Sequence, residues 1–145
     1  MDINIKGQNF EIKIPIFFKN TIIRGNSGTG KTFFVNILHS LVSEETLRDS
    51  VKSNIDFDNT IVVRNKGDIK EIKDTDSNKI IVLDRADTYL NKKLVDFINN
   101  SNNTFIIMTR CDGASGEIDS TINAHLELKS SKTNGFTKIL GKSIA

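Results

Sequence analysis

The densest group of chemistry-bearing residues in the chain is Gly25-Asn26-Ser27-Gly28-Thr29-Gly30-Lys31-Thr32. Its spacing fits G-x-x-x-x-G-K-[ST], a pattern suited to a backbone wrapped around an anion. Glycines allow positive φ and close approach, so that successive N–H groups form a concave nest for phosphate oxygens. A helix opening directly after the nest adds the partial positive charge of its N-terminus. Lys31 is spaced to reach the outer phosphates, and Thr32 to place its hydroxyl on a metal ion held with them. A chain of this length carries the pattern by accident on the order of 1% of the time, given ordinary residue frequencies. The bland alternative is a glycine-rich turn capped by a threonine.

A second group lies about fifty residues further on. Ile80-Ile81-Val82-Leu83-Asp84 is an unbroken apolar run that ends in a carboxylate. Alone, such an ending equally suits a strand running into a helix cap. Paired with the glycine-rich segment, it makes Asp84 the partner of Thr32 on the metal. A third run, Thr104 to Met108, closes in Thr109 and Arg110.

These groups need a frame that brings distant segments together. Ile3, Ile5, Ile12 and Ile14 alternate with polar residues around Gly7-Gln8, which predicts an N-terminal hairpin with a two-residue turn led by glycine. Pro15 ends it, and Asn20 to Arg24 is a short strand feeding the glycine-rich segment. From Lys31, Phe34, Ile37, Leu38 and Leu41 fall at helical spacing, with Phe33, Val35 and Val42 widening the apolar stripe. Ser43 to Asn54 either extends this helix or starts another. Thr60 to Arg64 and Lys79 to Leu83 read as strands, the second covered on both faces. Leu90, Leu94, Phe97 and Ile98 form another helical stripe before the buried strand Thr104 to Met108. His125 to Leu128 and Phe136 to Leu140 pair across a polar turn containing Asn134-Gly135. Strands alternating with helices predict parallel βαβ units, with antiparallel hairpins at both chain ends.

Taken together, Gly25 to Thr32, Asp84 to Asp87 and the strand Thr104 to Met108 with Thr109 resemble the P-loop NTPases, over roughly Asn20 to Arg110. Within them the chain resembles the additional-strand division that includes AAA+, ABC and helicase-like ATPases. The resemblance implies a single domain over residues 1–145, with a three-layer α/β/α fold, a mainly parallel sheet and the nucleotide at the carboxyl ends of its strands. It implies ATP and Mg²⁺ as cofactors. Gly25, Asn26, Ser27, Gly28, Thr29, Gly30, Lys31 and Thr32 would bind phosphate, and Thr32 and Asp84 the metal. Thr109, with Arg110 beside it, would sense the γ-phosphate, from a strand lying between the other two. In that division a Glu that polarises the attacking water usually follows the Asp, whereas this chain reads Asp84-Arg85-Ala86-Asp87. Arg85 stays protonated and is no base, so Asp87 is the nearest substitute carboxylate. The implied activity is slow ATP hydrolysis, and the alternatives are a nucleotide-sensing switch and, behind it, a small-molecule phosphotransferase.

Composition narrows the remaining classes. The chain has 145 residues, with 20 Lys+Arg against 18 Asp+Glu, a net charge of +2. That surplus does not mark a dedicated electrostatic nucleic-acid binder. The single Cys111 excludes an internal disulfide, and two histidines, His39 and His125, make no zinc spacing. No stretch has the apolar length of a membrane helix, and the N-terminus has no secretory pattern, so the expectation is a cytoplasmic protein. With little chain left for a substrate domain, output is expected through a protein partner or self-association.

Overall fold

The computed structural model describes residues 2–16, 19–25, 30–110 and 123–143. Nine strands form one sheet. They are β1 (Asp2–Lys6), β2 (Phe10–Pro15), β3 (Asn20–Arg24), β4 (Lys52–Ser53), β5 (Thr60–Val63), β6 (Ile80–Leu83), β7 (Thr104–Thr109), β8 (Asn123–Thr133) and β9 (Phe136–Ser143). The α-helices among the described residues are α1 (Lys31–Ser43) and α2 (Lys92–Asn100), with short 3₁₀ turns between strands.

The expected three-layer α/β/α fold with a mainly parallel sheet is not what the chain adopts. The strand order is β4-β1-β2-β9-β8-β3-β7-β6-β5, a mixed sheet curled into a half-barrel. Three of its eight pairings are antiparallel, β1–β2, β1–β4 and β8–β9. Nor are the terminal hairpins ornaments at the rims. β2 pairs in parallel with β9, which zips the two hairpins to each other, and β8 joins them in parallel to β3.

The curl follows from chain length. Eight strand spacings of about 4.8 Å would make a flat sheet about 38 Å wide. Yet β4 at one edge and β5 at the other are joined by only six residues, 54–59, which span at most about 25 Å. The edges must therefore turn toward each other. The concave side holds a core that runs from Ile3, Ile5, Ile12 and Ile14 through Phe34, Val35, Leu38 and Leu41 of α1 to Val62 and Val82. Phe57, in the six-residue link, plugs the same core and lies under the Arg48 guanidinium, 5.5 Å from its ring. The other face of β3, β5, β6 and β7 packs Ile22, Val63, Ile81, Leu83, Phe105 and Ile107 against Leu94, Val95 and Ile98 of α2.

Local expectations fared unevenly. Ser43 to Asn54 gives neither a longer helix nor a second α-helix, but a 3₁₀ turn, Glu45–Ser50, and β4. The N-terminal turn centres on Gln8-Asn9, because Lys6 pairs with Glu11 and the Gly7 N–H donates to the Phe10 carbonyl at 3.0 Å. Gly7 serves there by its size, since a Cβ would stand 2.3 Å from the Phe10 ring. Asn134 and Gly135, at φ 51° and 78°, make the expected tight turn between β8 and β9.

Candidate functional site

β3, β7 and β6 are adjacent and parallel, so their carboxyl ends open on one edge of the sheet. Register fixes what meets there. Arg24 lies level with Thr109, and Leu83 with Ile107, so the residues just beyond them are Gly25 after β3 and Asp84 after β6. Chain direction at β3 then turns into α1 through Gly30.

α1 begins at Gly30, whose φ of 104° is left-handed. Among the described residues no side chain caps this N-terminus, and its first turn holds no acidic residue. The first amide N–H groups of a helix have no intrahelical acceptor, so an uncapped start leaves donors and a partial positive charge facing the cleft. A Cβ at position 30 would sit 2.5 Å from Ile139 Cδ1, so β9 also requires glycine there. Asn26, Ser27, Gly28 and Thr29, named above as phosphate ligands, lie outside the described residues, as does Cys111.

A cleft of about 120 Å³ is lined by Lys31, Thr32, Asp84, Arg85, Met108, Thr109 and Arg110. The Lys31 ammonium donates to the Gly25 carbonyl and to the Thr109 carbonyl, the latter at 3.3 Å. Burial lowers its pKa from the usual lysine value, and Arg110 adds to that, while Asp84 and Asp87 act against it. The Asp84 carboxyl is raised, again by burial first and slightly by Asp87. The Arg85 backbone N–H, Lys31 and the Arg85 charge oppose the rise. Acid and base are thus both pushed toward neutrality, as expected where charged groups are held out of water for use.

Thr109 is 1% exposed, and its Oγ1 has no hydrogen-bond partner among the described residues. A buried hydroxyl without a partner costs roughly 1 to 3 kcal/mol. One that lines a cleft beside a lysine and a carboxylate fits a site completed by a polar ligand. Thr32 is exposed at the cleft mouth, on the same turn of helix as Lys31.

The structure therefore brings together Gly30, Lys31, Thr32, Asp84, Thr109 and Arg110. Asp87 does not line the cleft. It lies in the 3₁₀ turn Ala86–Thr88, near enough to influence both Lys31 and Asp84, and its Oδ1 is buried without a hydrogen-bond partner among the described residues. Arg85 is exposed and left-handed, at φ 55°. Among the described residues no group of three His, Cys, Asp or Glu side chains gathers to hold a metal. A site formed by Thr32 and Asp84 would rely on phosphate and water for its other ligands, as Mg²⁺ sites commonly do.

Sequence reasoning missed Tyr89. Its hydroxyl donates to the Asp84 carbonyl at 2.6 Å, and its ring is buried against Leu83 and Ala86 in the α2-side core. Burial raises its pKa, so it remains a donor at any ordinary pH. The available signal was that it is the single tyrosine, five residues after the candidate metal ligand.

A scan against protein-family models matches none, and a search of curated proteins finds no matching relative. No helix among the described residues is long and apolar enough to cross a membrane.

Proposed function

We propose that this chain binds ATP with Mg²⁺ at the cleft between β3, β6 and β7, in the manner of a P-loop NTPase, and hydrolyses it slowly. The observation that carries the reading is the meeting of Lys31, Thr32, Asp84 and Thr109 in one cleft at the start of α1. These residues come from three chain segments, and β7 stands between β3 and β6. The support is local to the site and its three strands, not to the layering of the molecule.

In this reading Lys31 leaves the Gly25 and Thr109 carbonyls for the outer phosphates. The α1 amides hold a phosphate by their N–H groups, and the Thr109 hydroxyl gains its missing partner on the terminal phosphate. Mg²⁺, bound with the nucleotide, would neutralise charge on the phosphate oxygens. Thr32 and Asp84 would hold it, and the cation would offset the burial that disfavours the charged form of Asp84. Arg110, exposed at the rim, contributes positive charge. Water activation is the weak point, because Arg85 stands where a base is wanted and Asp87 is outside the cleft. For that reason the second reading, a cytoplasmic nucleotide switch signalling through a protein partner or self-association, stays close behind.

The test is equilibrium titration of the protein and of Lys31→Ala with a fluorescent ATP analogue, with and without Mg²⁺, with phosphate release followed in parallel. Loss of a charged hydrogen-bond donor, worth roughly 1.5 to 3 kcal/mol, should weaken binding about 10- to 100-fold. Equal affinity in the two proteins refutes the site. Binding without measurable phosphate release selects the switch.

A further inference from the structure

Lys31 and Thr32 have a cavity on each side. One is the cleft toward Asp84. The other is a groove of about 470 Å³ between the start of α1 and the β8–β9 hairpin, lined by Thr32, Phe33, Ser131, Lys132, Thr137 and Ile139 among others. The two differ in size and chemistry in a way that settles which end of a nucleotide each suits. The cleft, at about 120 Å³, is roughly a quarter the size of the groove and is lined by Lys31, Asp84, Arg85 and Arg110, which suits phosphates better than a nucleoside. The groove falls within the usual range of about 300 to 1,000 Å³ for small-molecule sites.

The groove is also lined as a nucleoside site would be. Ser130 and Thr137, which share the strand face of Ile139, offer hydroxyls that both donate and accept, so they can meet sugar or base edges. Phe33 is partly buried and held edge-on against Phe10, with ring centroids 5.8 Å apart, which fixes one aromatic wall. Ile139 closes the floor, packed so near Gly30 that the groove and the helix start form one continuous surface. Among the described residues no carboxylate lines it, and Lys132 there favours a polyphosphate on its way to Lys31.

We infer that the nucleoside half of the bound nucleotide lies in this groove, on the β8–β9 hairpin, with its phosphates passing Lys31 and Thr32 into the cleft. This rests on the reading of the cleft as a polyphosphate site. The hairpin strands, outside the segment that carries the phosphate motif, then set affinity for the base and sugar.

Calorimetric titration of ATP and of inorganic tripolyphosphate, each with Mg²⁺, separates the two claims. The parent protein should bind ATP at least 10-fold more tightly than tripolyphosphate. Thr137→Trp, a change on the strand face that lines the groove, should erase most of that difference while leaving tripolyphosphate affinity unchanged. Retained tripolyphosphate binding also shows that the variant is folded. If ATP and tripolyphosphate bind the parent equally, or Thr137→Trp leaves ATP affinity unchanged, the nucleoside is not in the groove and the cleft reading stands. If neither ligand binds the parent, the cleft reading itself fails.

Discussion

The two halves of the sheet are built on different sequence grammars. In β6 and β7 the apolar residues run without a break, because α1 covers one face and α2 the other. In β1 buried Ile3 and Ile5 alternate with exposed Asp2, Asn4 and Lys6, because only the concave face is covered. The first half delivers Gly25, Asp84 and Thr109 to one edge; the second contributes Gly30's neighbour Ile139 and the groove. Chemistry thus gathers where parallel strands end together, while the alternating half shapes the space beside it.

The largest expected effect falls on the doubly covered half. Phe105 is fully buried and stands edge-on to Phe97, with centroids 5.9 Å apart. Phe105→Ala should cost about 3 to 5 kcal/mol in urea denaturation. A loss below about 1 kcal/mol would show that α2 does not seal that face. Next comes the seam between the halves. Gly30→Ala forces a Cβ against Ile139 at a left-handed φ, and overpacking of that kind costs about 1 to 3 kcal/mol. Stability and nucleotide affinity should fall together, and unchanged stability would mean that β9 does not press on the helix start.

Asp84→Asn should show the smallest effect on stability, and one of opposite sign. Its folded pKa is raised above 3.8, so the folded protein holds that proton more tightly than the unfolded chain does. The contribution of Asp84 to stability is therefore greatest at low pH and is lost as pH rises through the folded pKa. The asparagine variant escapes that decline. Its melting temperature should be slightly above the parent's at neutral pH, with the difference vanishing near pH 3, while the gain in ATP affinity from Mg²⁺ is lost. A variant less stable than the parent at neutral pH would show that Asp84 is held by structural partners.

The site was more legible than the fold that carries it. Lys31, Thr32 and Asp84 stand in a short motif and at a strand end, features that spacing alone exposes. Thr109 was found because the strand before it is unbroken and apolar. What stayed hidden depends on residues far apart in sequence. The Ile139 contact that demands Gly30 spans more than a hundred residues, and the curl comes from a six-residue link between opposite sheet edges. The parallel pairing of β2 with β9 leaves no trace in either strand's pattern, since an alternating strand looks alike whether its neighbour is parallel or antiparallel. Hairpin reasoning therefore paired the strands at each chain end, and missed that the two hairpins join each other.

That union governs when the molecule becomes complete during synthesis. Phe10 pairs with Thr137 and Lys13 with Leu140, so β2 waits for β9. At about 5 to 20 residues per second, translation leaves β2 without β9 for roughly 6 to 25 s. The local hairpin β1–β2 can form within microseconds, yet its outer edge stays open for that whole interval. Lys13, exposed on β2, places a charge along the waiting edge, a common guard against pairing with the wrong strand. Sheet closure thus waits for residues 16–135 to be made, and the groove bounded by β8 and β9 comes into being only with it.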